Sequence, residues 1–200
     1  MRMIAATNNP DKVREIREIL AGTGLEVISQ REAGIAMDVE ETGTSFEENA
    51  LLKARSIHAR TGGLVMADDS GLAIDALGGA PGIHSARFAG EGAGYPEKIA
   101  RIHAMLEGVP ESEWTARFIC VVAVVRPDGS AFTVRGTCEG RIAREAAGTN
   151  GFGYDPVFFL PEFGRTCAQL DPDEKHRVSH RGHALRAMLT RFRCEGLVTA

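Results

Sequence analysis

The chain predicts an α/β fold. Strand-like apolar runs alternate with amphipathic helical runs through the first half, and a strong turn signal joins two long β-rich runs in the second. A composition of 44% hydrophobic and 25% charged residues in a chain of 200 suits one sizeable core. Residues 1–200 are therefore expected to form a single domain, the hairpin making a second lobe or the far side of an elongated molecule with a cleft between lobes. A net charge of −4 argues against general affinity for a nucleic-acid backbone, so any phosphate ligand is small. Cys120, Cys138, Cys167 and Cys194 are widely spaced with no CxxC pair, which points to free thiols in a reducing cytoplasm. The opening MRMIAATNN is too short an apolar run for a signal peptide, and no stretch approaches the roughly 20 apolar residues a membrane span needs.

Residues 3–6 read as a first buried strand, and residues 11–20 carry Val13, Ile16, Ile19 and Leu20 at helical spacing. Thr7, Asn8, Asn9, Pro10, Asp11 and Lys12 join them, with capping residues ahead of Pro10 near the first helical position. Such a helix start offers free backbone N–H groups and a positive dipole end to a phosphate, with Lys12 adding charge. It also describes an ordinary strand-to-helix turn. After a second strand around residues 26–29 come Asp38, Glu40 and Glu41. This is either a solvated acidic loop or, beside Asp69, a carboxylate source for a hard cation. Ser45 then caps a helix reaching about Arg60, with Glu48 as capping-box partner and Asn49 and Lys53 on one face. Lys53 is a phosphate contact or an exposed charge.

Residues 64–67 read as a short buried strand delivering Asp68, Asp69 and Ser70 at its carboxyl end, where Gly71 lets the backbone turn. Neighbouring side chains of an extended chain point to opposite faces, so one of the pair would face a metal site while the other supports it from behind. The alternative is an Asx turn closing a hairpin between residues 64–67 and 72–76. A tight loop follows at residues 78–82, then a helix over residues 95–107 with His103 as a core or boundary residue. Residues 116–125 and 131–143 flank a turn at 126–130, which predicts an antiparallel hairpin. The glycine-rich loop at 149–156 presents Phe152, Gly153, Tyr154 and Asp155; its aromatics either stack a nucleobase or pack within the loop. Asp171 caps a helix carrying Lys175, and Ser179, His180 and Arg181 open the last one. Of 23 basic residues only Lys12, Lys53, Lys98 and Lys175 are lysines, and three lie in these stretches. A lysine suits a phosphate oxygen that needs a single compact donor.

Taken together, Thr7-x-Asn9-x-x-Lys12, Glu40-Glu41-Thr42-Gly43, Phe46-x-Glu48-Asn49-Ala50-x-x-Lys53-Ala54, Ala67-Asp68-Asp69-Ser70-Gly71-Leu72, Gly78-Gly79-Ala80-Pro81-Gly82, Phe152-Gly153-Tyr154-Asp155-Pro156 and Ser179-His180-Arg181 closely resemble the inosine triphosphate pyrophosphatase family, the bacterial dITP/XTP house-cleaning enzymes. The resemblance implies an elongated two-lobed α/β fold with a long central mixed sheet flanked by helices, a substrate cleft between the lobes, a homodimer and a cytoplasmic setting. It implies hydrolysis of ITP, dITP or XTP to the monophosphate and pyrophosphate with Mg²⁺. By matching positions Glu40 and Asp69 would hold the metal, and Asp69 would accept the proton of the attacking water, with Asp68 in support. Thr7, Asn8, Asn9, Lys12 and Ser70 would contact substrate and Lys53 the phosphates. Phe152, Gly153, Tyr154, Asp155, Lys175, His180 and Arg181 would hold base and sugar, with Arg181 and His180 donating to the purine 6-oxygen. An orthophosphate-releasing Mg²⁺ phosphatase and a non-hydrolysing nucleotide sensor are the competing readings.

Overall fold

A computed structural model describes residues 1–90 and 92–198. Strand β1 (Arg2–Ala5) leads through the polar turn into α1 (Pro10–Ile19), whose start is fixed by Asn9: its side chain accepts from the Asp11 and Lys12 amides. Strand β2 (Glu26–Ser29) and helix α2 (Phe46–Thr61) follow. Ser45 caps α2 by accepting from the Glu48 amide, but the Glu48 carboxylate reaches back to the amide and hydroxyl of Thr44, one residue beyond the expected capping-box partner. Gly62, with φ of 62°, ends the helix by donating its N–H to the His58 carbonyl.

The centre of the chain departs from the expectation. Strand β3 (Val65–Ile74) runs straight through Gly71, so Asp68, Asp69 and Ser70 lie in mid-strand, and neither the turn nor the short hairpin forms. Glycine permits a turn without requiring one. Here Leu72 and Ile74 are fully buried, and their burial favours continuing the strand. The positive-φ glycines Gly78, Gly79 and Gly82 make the tight loop that comes next.

Helix α3 (Tyr95–Met105), the hairpin strands β4 (Thr115–Val125) and β5 (Ala131–Ile142), short strands β6 (Phe158–Leu160) and β7 (Arg165–Thr166), and helices α4 (Pro172–Val178) and α5 (His180–Cys194) complete the order. The seven strands form one sheet in the order β2-β1-β3-β4-β5-β6-β7. β1 lies parallel to β2 and β3, while β5/β6 and β6/β7 are antiparallel, so the fold is α/β with a mixed sheet. His103 Nε2 donates to the Ala143 carbonyl and its ring lies against Trp114, a boundary role as expected. All four cysteines are free thiols; only Cys194 is exposed.

Two compact units divide the chain. The first comprises residues 1–69, 120–136 and 181–200, the second residues 70–119 and 137–180. Strands β3, β4 and β5 thus each supply residues to both units. The first unit has its own core, in which Met3, Met66, Val122 and Val124 from the sheet pack with Ile16 and Leu20 and with Leu185, Met188 and Phe192 of α5. The second packs Leu72, Ile74, Phe118 and Phe158 with Ile102, Leu106 and Trp114. Truncating one such fully buried side chain, Leu185 to Ala for instance, costs about 2–5 kcal/mol.

Candidate active site

β3 carries two adjacent carboxylates that point to opposite faces and meet different partners. On one face Asp69 Oδ1 accepts from Lys53 Nζ at 2.9 Å, and the same ammonium donates to Glu41 Oε1 at 2.6 Å. Lys53 and Asn49 are four residues apart on α2 and share a face, so the Asn49 amide also points to Asp69, at 3.5 Å. The Gly43 N–H, donating to Asn49 Oδ1 at 2.8 Å, fixes that amide. A Cβ at position 43 would run into Asn49 and Glu48, so only glycine lets the acidic segment lie this close. Burial pushes Asp69 up, and the neighbouring Glu41 charge adds to the effect; against the pull of Lys53 the balance leaves its pKa at about 6. Burial also works against ionisation of Glu41, but the charge and hydrogen bond of Lys53 hold it below the usual range. Burial alone would lower Lys53; Asp69, Asp68 and Glu41 raise it instead. The acid that meets Asp69 through Lys53 is thus Glu41, whereas Glu40 is exposed.

On the other face Asp68 is fully enclosed. Its Oδ2 lies 3.0 Å from Lys12 Nζ and accepts from Arg181 Nη2 at 3.1 Å, while Arg181 Nη1 donates to Glu15 Oε2 at 2.5 Å. Burial opposes the Asp68 charge, but Lys12, Arg181 and Lys53 outweigh it and hold the carboxyl far below its ordinary range. Two expectations are corrected here. Arg181, buried and divided between two carboxylates, supports Asp68 rather than donating to a purine. The amides of the α1 start are not free either: the Asn9 side chain accepts from those of Asp11 and Lys12. Thr7 Oγ1 accepts from the Asn9 amide, and Asn8 ties the turn to Asp38 and the Met37 carbonyl. Ser70, half-buried, follows Asp69 in the strand.

In the second unit Lys175 Nζ and Asp155 Oδ2 form a buried pair at 2.6 Å, and Asp155 Oδ2 also accepts from the Phe152 amide at 2.8 Å. The Lys175 ammonium sits 5.1 Å from the centre of the half-buried Phe152 ring. Gly151, with φ of 72°, makes this possible, since a Cβ there would collide with the Asp155 carboxylate and the Lys175 ammonium. Gly153 also takes positive φ and faces the Tyr95 ring. Tyr154 is no stacking platform: it is 4% exposed, its hydroxyl donates to the Ser85 carbonyl, and its ring meets that of Tyr95 edge to face. The aromatic face left to a base in this loop is Phe152. His180 is buried and stacked on Phe118 with ring centres 4.7 Å apart.

Glu15, Glu41 and Asn49 belong to this machinery without having been singled out as site residues in the sequence. The signal for Glu15 was a carboxylate three residues after Lys12, next to the apolar Ile16. Each of the three lysines in the motif stretches ends on an aspartate, whereas Lys98 donates to the Ala86 carbonyl.

Residues 3–191 match the Ham1 family. A dITP/XTP pyrophosphatase of Yersinia pseudotuberculosis is 49% identical over 194 residues, covering 96% of this chain and 98% of the relative. The dITP/XTP pyrophosphatase of Desulforamulus reducens is 48% identical over 186 residues, covering 93% and 92%. Among solved structures, the Staphylococcus aureus Ham1 protein superposes with a TM-score of 0.87 at 37% identity, over 98% of this chain and all of that one.

Proposed function

The chain belongs to the Ham1 family, and we propose that it clears deaminated purine nucleotides: it is a nucleoside triphosphate pyrophosphatase that hydrolyses ITP, dITP and XTP to the monophosphate and pyrophosphate. The observation that carries this reading, beside the relatives, is the buried Asp69 carboxylate held between the Lys53 ammonium and the Asn49 amide. Without metal, burial raises its pKa to about 6, toward the range that suits a general base. Orthophosphate release and non-hydrolytic sensing find no counterpart among these relatives.

Mg²⁺ is the metal of this proposal, and the residues fit it. Beside substrate phosphates this ion takes one or two carboxylates, and Asp69 and Glu41, which share the Lys53 ammonium, are hard oxygen donors with Glu40 next in the chain. Glu40 and Asp69 are the ligands of this proposal, as the resemblance implies, with Glu41 held by Lys53 beside them. When bound, the ion neutralises phosphate charge and acidifies water. Asp69 takes the proton from the attacking water, Lys53 and Lys12 face phosphate oxygens, and Thr7, Asn8, Asn9 and Ser70 complete the substrate contacts. Phe152 stacks the base while Asp155, Lys175, Gly153 and His180 frame base and sugar; Tyr154 and Arg181 act behind these groups. The protein works as a single domain and as a cytoplasmic homodimer; none of its described helices is long and apolar enough to cross a membrane.

Product analysis with ITP and Mg²⁺ tests the reaction: pyrophosphate is expected, and orthophosphate or no turnover would overturn it. The purine 6-oxygen separates hypoxanthine and xanthine from adenine, and the 2-amino group separates them from guanine. We therefore expect kcat/KM for ITP and XTP to exceed that for ATP and GTP by at least about a hundredfold. Equal values for ITP and GTP would sink this account of base selection.

A further inference from the structure

We propose that Glu15 is a positioning residue for Lys12, acting through Arg181 and Asp68. The inference rests on the reading of Lys12 as a phosphate contact.

The geometry is a relay of alternating charge. Glu15, buried on α1, accepts from Nη1 of Arg181 at 2.5 Å; Nη2 of the same guanidinium donates to Asp68 Oδ2 at 3.1 Å; and Lys12 Nζ lies 3.0 Å from that same oxygen. A guanidinium presents parallel donors and readily closes both onto one carboxylate. Here the fork is split, because Glu15 draws one arm away, and Asp68 Oδ2 remains shared between Arg181 and Lys12. With the Glu15 charge removed, both arms can close on Asp68 and compete with Lys12 for its anchor. Lys12 then becomes an untethered ammonium on a flexible stem, a poorer partner for a triphosphate. Stability alone is a weak account of the arrangement, since buried ion pairs gain little over apolar replacements of the same volume.

The test is a double-variant cycle. kcat and KM for ITP, and tripolyphosphate binding by calorimetry, are measured for wild type, Glu15→Gln, Lys12→Met and the double variant, with Glu15→Asp as a charge-conserving control. Glu15→Gln should lose about tenfold in kcat/KM, chiefly through KM, and about tenfold in tripolyphosphate affinity, while losing under about twofold in the Lys12→Met background. Glu15→Asp should recover part of both losses. Equal losses in the two backgrounds, or wild-type behaviour of Glu15→Gln, would overturn the proposal. So would failure of both Glu15 variants to fold, which would make the residue purely structural. Tripolyphosphate binding requires no turnover, so a wild-type protein that released no pyrophosphate would refute the reaction yet leave this coupling measurable.

Discussion

Asp68 and Asp69 are neighbours on one strand, almost equally buried at 2% and 5% exposure, yet their acidities move in opposite directions. Burial penalises both charges, so it does not distinguish them. The cation count does. Asp68 has Lys12 and Arg181 within reach, whereas Asp69 shares the single Lys53 ammonium with Glu41. The first face of β3 is an ion network whose carboxyl stays charged; the second has less positive charge, and its carboxyl titrates at about 6. The same residue type is held as a charged anchor in one setting and lifted toward neutrality in the other.

The comparison breaks most visibly at Asp69→Asn. The amide keeps the shape and removes the proton acceptor, so kcat should fall by roughly 10²- to 10⁴-fold with folding intact by circular dichroism. Near-normal kcat at saturating Mg²⁺ would return Asp69 to a structural role. Asp68→Asn should do the reverse and strike stability first: it leaves buried Arg181 and Lys12 facing one carboxylate fewer, at a cost of about 3–5 kcal/mol read from denaturant unfolding. A smaller loss of kcat/KM, about tenfold to a hundredfold, is expected for Lys53→Ala. Because Lys53 pulls the Asp69 pKa down, that variant should also show Asp69 titrating higher than in wild type.

The finest test of the contrast is its pH dependence in metal-free buffer. A carboxyl whose folded pKa is raised binds a proton more readily folded than unfolded. Its contribution to stability is therefore complete below the ordinary value of 3.8 and lost as pH rises through about 6. Relative to Asp69→Asn, wild type should lose stability across that window, by on the order of 3 kcal/mol. Glu41→Gln removes a charge that raises Asp69, so the window should narrow from its upper end; no change would mean that Glu41 does not act on Asp69 at all.

Local chemistry was legible in the sequence because its partners are near in the chain. Asn9, Ser45 and Asp171 cap the helices their positions announce, and the turn at 126–130 joins β4 to β5. The opposed faces of Asp68 and Asp69 followed from strand geometry alone. What escaped depends on distance or on single-residue register. Arg181 meets Glu15 across 166 positions, and no local pattern marks that pairing. Glu41, not its neighbour Glu40, reaches Lys53, and nothing in the run of acids marks which of the two does. Tyr154 and Phe152 look alike as aromatics of a glycine-rich loop; the carbonyl of Ser85 and the ring of Tyr95 claim one and not the other.

The first unit is assembled from three separate stretches of chain, the last of them beginning at Arg181. On the ribosome, β1, α1 and β3 emerge long before Leu185, Met188 and Phe192 can close their core, and Asp68 waits with Lys12 but without the guanidinium that completes its neutralisation. A nascent chain halted before α5 therefore holds an acidic strand and an open apolar face. That face is covered only when Leu185, Met188 and Phe192 of α5 pack into the core.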